Sequence, residues 1–112
     1  MSTTQLPEIA SSRAHELIDR FNSRRITVVG DVMLDHFVIG RVSRISPEAP
    51  VPVVVFDHEE WRLGGAANVA HNLRALGAAV DLIGVIGQDE AGTQLKYELA
   101  AKGIHATGLI TD

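Results

Sequence analysis

The spacing of apolar positions changes repeatedly along the chain, and each change marks a predicted element. Ala14, Leu17, Ile18 and Phe21 recur at i, i+3, i+4 and i+7, which predicts an amphipathic helix over residues 11–22 with Ser11 or Ser12 as its cap. Ile26-Thr27-Val28-Val29 is a run of β-branched residues closed by Gly30-Asp31, the pattern of a buried strand entering a turn. A mixed stretch over 34–39 ends at Gly40, and the polar, prolyl residues 41–50 predict a loop. Residues 51–56 are β-branched, but Pro50 and Pro52 lack ladder donors, so this strand belongs at an edge or in a small separate sheet. Alternation over 59–63 predicts one more short strand. Residues 37–63 therefore form a β excursion within an otherwise alternating pattern.

Beyond Gly65 the helical period returns. Val69, Leu73 and Leu76 are the expected buried face, and Gly77 is the expected left-handed cap. Residues 80–86 read as a strand. Asp89 and Glu90 suit a helix N-terminus, Ala91, Leu95 and Leu99 form the expected buried stripe, and Gly103 closes that helix. A last strand is expected over 107–111. Strand, helix, strand, helix, strand at this spacing predicts an α/β fold with a right-handed parallel sheet.

Composition narrows the possible functions. The 112 residues are 46% apolar, enough for one modest domain. A formal charge of −4 lacks the basic excess that nucleic-acid binding requires. The absence of cysteine excludes disulfides, thiolate metal sites and cysteine nucleophiles. Residues 1–7 show no signal-peptide pattern, and the longest apolar runs fall far short of the roughly 20 residues that a membrane helix needs. A cytoplasmic enzyme fits this profile. His15, His36, His58, His71 and His105 show no metal-ligand spacing, and Ser43 and Ser46 lie outside any nucleophile-elbow pattern. Gly84, Gly87 and Gly92 do not match the Gly-x-Gly-x-x-Gly spacing of dinucleotide sites. A strand end, a turn and a capped helix account for them.

The candidate chemistry lies in Leu63-Gly64-Gly65-Ala66-Ala67-Asn68 and in Asp35. The glycine pair serves either a tight helix entry or a ligand that touches backbone N–H groups. Asn68, one turn into the helix, can donate and accept at once, which suits sugar hydroxyls; a helix-internal hydrogen bond is its other role. Asp35 either caps a turn or accepts from two neighbouring hydroxyls. Asp31 reads as a turn residue in preference to a ligand contact.

Three ordered motifs, Gly30-Asp31-Val32-Met33-Leu34-Asp35, Gly64-Gly65-Ala66-Ala67-Asn68 and Gly84-Val85-Ile86-Gly87-Gln88-Asp89-Glu90-Ala91-Gly92, resemble the opening motifs of ribokinase-like (pfkB) carbohydrate kinases. The loop Ser43-Arg44-Ile45-Ser46-Pro47-Glu48-Ala49-Pro50-Val51-Pro52-Val53 is similar to that of the heptose 7-phosphate kinase subfamily, commonly the kinase half of a bifunctional kinase and adenylyltransferase. The resemblance runs from Ile26 to the end, leaving residues 1–24 as a helical extension and 25–112 as the N-terminal part of the kinase domain.

That resemblance implies a ribokinase-like parallel sheet with helices, in which the β excursion at 37–63 is a lid over the sugar and can form a homodimer contact. It implies that Asp35 and Asn68 hold sugar hydroxyls and that Gly64 and Gly65 form a close contact and hinge. Arg41, Arg44 and Arg62, on or near the lid, are candidates for the sugar's own phosphate, with solvated lid arginines as the other role. ATP and Mg2+ are the implied cofactors of the full-length protein. The catalytic base is expected in a Gly-Ala-Gly-Asp signature that does not occur before Asp112, so no catalytic residue is assigned here. The expectation is an incomplete domain, inactive alone, that binds a phosphorylated sugar for ATP-dependent phosphorylation. A non-catalytic sugar-binding or dimerising module is the alternative; a dinucleotide-binding oxidoreductase lacks the glycine spacing.

Overall fold

The architecture is a parallel sheet covered on one face, with a long β arm projecting from it. In a computed structural model, which describes residues 6–112, helix α1 (Ser11–Asp19) and a 3-10 turn (Arg20–Ser23) precede β1 (Arg25–Val29). Next come β2 (Val32–Ile45), β3 (Pro52–Gly65), α2 (Ala66–Ala75), β4 (Ala79–Ile86), α3 (Glu90–Ala101) and β5 (His105–Thr111). Residues 1–5, part of the expected extension and of the stretch without a signal pattern, lie outside the described residues. No helix of the described residues is long and apolar enough to cross a membrane.

Strands β1, β4 and β5 form one parallel sheet in the order β1-β4-β5, and β2 pairs with β3 as a separate antiparallel ribbon. The even-numbered residues of β4, Val80, Leu82 and Ile86, enter the core with Ala67 and Ala70 of α2 and Leu95 and Leu99 of α3. The opposite sheet face is open, with Val29, Val85 and Ile110 exposed.

Both later helices end as their glycines predict. Ala78 donates to the Leu73 carbonyl and Gly77 to that of Arg74. In α3, Ile104 donates to Leu99 and Gly103 to Ala100. These paired bonds are Schellman closures, with Gly77 (φ 103°) and Gly103 (φ 69°) in the positive-φ position. At the start of α3 the Asp89 carboxylate accepts from the Gly92 N–H at 2.8 Å, the expected cap.

Four expectations require correction. Neither Ser11 nor Ser12 caps α1; Ala10 occupies that position without a side-chain bond, both serines lie inside the helix, and His15 Nδ1 donates to the Ser11 carbonyl at 2.7 Å. Helix α2 buries Ala67 and Ala70, while Val69 and Leu76 are exposed, because the small residues allow the close approach to the sheet. In α3 the buried stripe runs through Gly92, not Ala91. The β excursion is longer than 37–63, running from Val32 to Gly65, and more regular: β2 continues through Gly40 to Ile45, so 41–45 is strand rather than loop, and the two strands expected at 51–56 and 59–63 are one.

Each arm strand has 14 residues, about 45 Å at the usual rise. That projection explains a radius of gyration of 20.4 Å, against about 13 Å for a compact chain of this length.

At the N-terminal end of the parallel sheet Asp81 joins all three strands. Arg25 grips its carboxylate in a fork at 2.6 and 2.9 Å, and His105 Nδ1 lies 3.3 Å away. Arg25 chiefly, and His105 in addition, hold the Asp81 carboxyl below its ordinary value of 3.8. A carboxyl depressed in the folded state stabilises above its unfolded value, and the contribution disappears as pH falls through the folded value. Acid unfolding is therefore expected to lose stability below about pH 4 through this group. Asp81→Asn should shrink the stability difference between pH 6 and pH 3, roughly the window of carboxylate titration, in urea melts. An unchanged difference would remove Asp81 from the acid response.

Candidate functional site

The root of the β arm meets the start of α2 through several close backbone approaches. Beyond β1, the Gly30 N–H donates to the Ile83 carbonyl at 3.2 Å. A side chain at Gly84 would press on the Gly30 carbonyl and on Val32, so glycine lets β4 pass beneath this turn. Asp31 acts in the turn, as expected, but through its backbone: its carbonyl accepts the Ala66 N–H at 2.7 Å. This bond ties the end of β1 to the first residue of α2.

Gly65 makes that closure possible. Its φ of 55° with ψ of −133° lies in a region closed to residues with a Cβ, and a Cβ there would run into the Asp31 carbonyl. Gly64 has a different task. It is buried, pairs with Met33 across the ribbon, and has the Asp35 carboxylate directly above it: a Cβ on Gly64 would lie 2.8 Å from Asp35 Oδ2.

Asp35, Gly64 and Gly65 are thus brought together, and Asn68 follows as the third residue of α2. No side chain caps this helix, so beyond Ala66, whose N–H is given to Asp31, the first-turn N–H groups have no capping partner. Asp35 and Asn68 are both exposed, and among the described residues neither side chain has a hydrogen-bond partner. A carboxylate above Gly64 and an amide two residues into the helix that follows are groups that can accept from and donate to hydroxyls.

The three arginines separate clearly. Arg62 is the cross-strand partner of Asp35, so the two side chains share one face of the ribbon. Arg41 and Arg44 pair with Val55 and Val53. They lie six and nine residues further along β2, about 20 and 30 Å from Asp35 at strand rise. Within one chain only Arg62 adjoins the site.

Sequence reasoning missed the surroundings of Arg62. Its guanidinium lies 4.8 Å from the centre of the Phe37 ring, and its Nη2 donates to Glu60 at 2.8 Å. Arg62, and His58 after it, hold the Glu60 carboxyl below its usual range. His58, within 3.0 Å of Asp57 and 3.3 Å of Glu60, is raised by both, Asp57 first. The available signal was the i, i+2 alternation of His58, Glu60 and Arg62, which acquires meaning only once the register with Phe37 is known.

Similarity to known proteins resolves the fold family. The family description "pfkB family carbohydrate kinase" matches residues 23–112. The chain belongs to this family. It is 55% identical over 94 residues to a D-beta-D-heptose 7-phosphate kinase of Bordetella bronchiseptica, covering 84% of this chain and 30% of that protein. It is 59% identical over 87 residues to the bifunctional protein HldE of Pseudomonas putida, covering 78% of this chain and 18% of that protein. The chain therefore spans less than a third of the length of these curated relatives. Among solved structures, a carbohydrate kinase from Agrobacterium tumefaciens superposes with a TM-score of 0.60 at 26% identity, covering 80% of this chain and 27% of that one. A fructokinase from Xylella fastidiosa with bound ATP gives 0.58 at 26% identity, over 80% of this chain and 26% of that one. The ribokinase-like fold with a parallel sheet is thereby established, and its β arm is the ribbon described above.

Proposed function

We propose that this chain is the sugar-recognising segment of an ATP-dependent carbohydrate kinase that phosphorylates heptose 7-phosphate at its anomeric hydroxyl, in the supply of heptose for lipopolysaccharide core. The observation that carries this reading is the Asp35 carboxylate, unpartnered above the bare backbone of Gly64 and beside the uncapped start of α2. High identity to heptose 7-phosphate kinase supports the substrate. A similar fructokinase structure with bound ATP supports the phosphoryl donor.

In this reading Asp35 and Asn68 bind sugar hydroxyls, and the Gly64-Gly65 backbone lets the ring approach. The anomeric oxygen attacks the γ-phosphorus, the bond to ADP breaks, and the hydroxyl proton passes to a base that the reading assigns outside these residues. ATP with Mg2+ supplies the phosphoryl group. Among the described residues no group of three or more His, Cys, Asp or Glu side chains could hold a metal ion, so none is assigned to Mg2+. Sugar phosphate and ATP as substrates place the reaction in the cytoplasm.

The arm also supports a lid that associates with a second copy. Ile45, Val54 and Phe56 are 69%, 54% and 60% exposed, and a two-stranded ribbon is at best marginally stable in water by itself. Pairing with an identical ribbon would cover both apolar faces.

The deciding experiment measures ADP release by the protein at its natural length with heptose 7-phosphate, heptose, fructose 6-phosphate and ribose. Sedimentation of the same preparation would give its oligomeric state. The expected result is turnover with heptose 7-phosphate above the others, a 1,7-bisphosphate product by phosphorus NMR, and a dimer. Turnover preferring another sugar overturns the substrate assignment. Sugar binding without ADP release would instead support a non-catalytic binding module.

A further inference from the structure

We propose that Arg62, positioned by Phe37 and tempered by Glu60, is the residue that selects sugars carrying a dianionic phosphate. This deepens the function proposed above and rests on the sugar site being at Asp35.

Three observations converge on Arg62. It stands directly across the ribbon from Asp35 on the same face, so a ligand whose hydroxyls reach Asp35 brings its substituents within range of a guanidinium. Neither Arg41 nor Arg44 meets that condition. Secondly, the Phe37 ring sits against the guanidinium. A ring this close holds the guanidinium in place through its π face without using any of its N–H donors, which stay available for a forked phosphate contact.

Thirdly, the guanidinium is only partly occupied. Nη2 is given to Glu60, and among the described residues Nε and Nη1 have no partner. Asp35, although opposite, is not ion-paired with it. Glu60 therefore provides a resident carboxylate with which any incoming anion must compete or share. A phosphate dianion, with more charge and three acceptor oxygens, can do so; a neutral hydroxyl cannot. Glu60 works as a threshold that favours strongly charged substituents over weakly charged or neutral ones. Its removal leaves Phe37 to hold the arginine and takes one negative charge away from the incoming phosphate.

The test is calorimetric titration of heptose 7-phosphate and of unphosphorylated heptose into the natural-length protein and its variants. Arg62→Ala should weaken heptose 7-phosphate binding about 10- to 100-fold, while heptose changes less than about threefold, within the range of an uncharged contact. Arg62→Lys, which keeps the charge and loses the fork, should fall between wild type and alanine. Glu60→Gln should tighten heptose 7-phosphate binding about three- to tenfold, the loss of one nearby like charge. Phe37→Leu should weaken it about threefold, as expected for losing an exposed cation–π contact. Arg41→Ala and Arg44→Ala should leave both sugars unchanged.

Equal losses on both sugars in Arg62→Ala would reduce Arg62 to a structural role and overturn the proposal. Weaker binding in Glu60→Gln would overturn the threshold. A wild-type protein that binds the two sugars equally would remove Arg62 selectivity alone. One that binds neither would remove the sugar site itself and this proposal with it.

Discussion

Replacing Asp35 by asparagine is expected to lower kcat/KM for the sugar about 100- to 1,000-fold while shifting Tm by no more than about 3 °C. The first figure follows from charge-assisted hydrogen bonds at about 1.5–3 kcal/mol each, with two hydroxyls served by one carboxylate and partial retention by the amide. The second follows from what Asp35 does in the fold. It is exposed, and no described residue donates to it. Its shape is kept by asparagine above Gly64, and an exposed substitution of that kind stays within about 0.5 kcal/mol. Asn68→Ala should behave similarly but lose less, since an uncharged amide is removed. Kinetic assays and thermal melts on the same preparations check both. A loss of stability matching the loss of activity would make Asp35 a structural residue and leave the sugar site without its main acceptor.

Local chemistry determines how much of this was legible in the sequence. Gly77, Gly103 and Asp89 were readable because caps depend on one residue and its immediate neighbours, and all three act as expected. Gly40 was misleading for the opposite reason. Glycine inside a strand pattern reads as a break, yet here it lies at a register shift where the backbone of Val55 comes so close that a Cβ would collide with it. Pairing across the ribbon, set by residues about 15 positions away, outweighed the local signal. Helix α2 shows the same limit in packing: hydrophobic size pointed to Val69 and Leu76, whereas contact with the sheet selected Ala67 and Ala70. The members of the candidate site were legible one by one. Their arrangement was not, since the approach of Asp35 to Gly64 and the separation of Arg62 from Arg41 and Arg44 are consequences of β2–β3 register.

The glycine pair permits a sharper test, because its two members fail in different ways. Gly65→Ala should cost about 3 kcal/mol of stability. A backbone held at φ 55° and ψ −133° costs a residue with a Cβ on the order of 1–3 kcal/mol. The new methyl also meets the Asp31 carbonyl, and displacing that carbonyl breaks the bond to Ala66, a further 1 kcal/mol or so. Since this bond fastens the β1 turn to α2, sugar binding should fall together with stability. Gly64→Ala should do otherwise. Its methyl would meet the end of the flexible Asp35 side chain at 2.8 Å and the Met33 Cβ at 3.2 Å, so the carboxylate can swing aside at small cost to the fold. Binding should then weaken at least tenfold, roughly one charged hydrogen bond, with stability reduced by less than about 1 kcal/mol, as for a substitution with a movable neighbour. Urea unfolding and sugar titration of both variants separate these effects. Similar stability in the two variants would show that the positive φ at Gly65 is dispensable; undiminished binding in Gly64→Ala would show that sugar does not need Asp35 above that backbone.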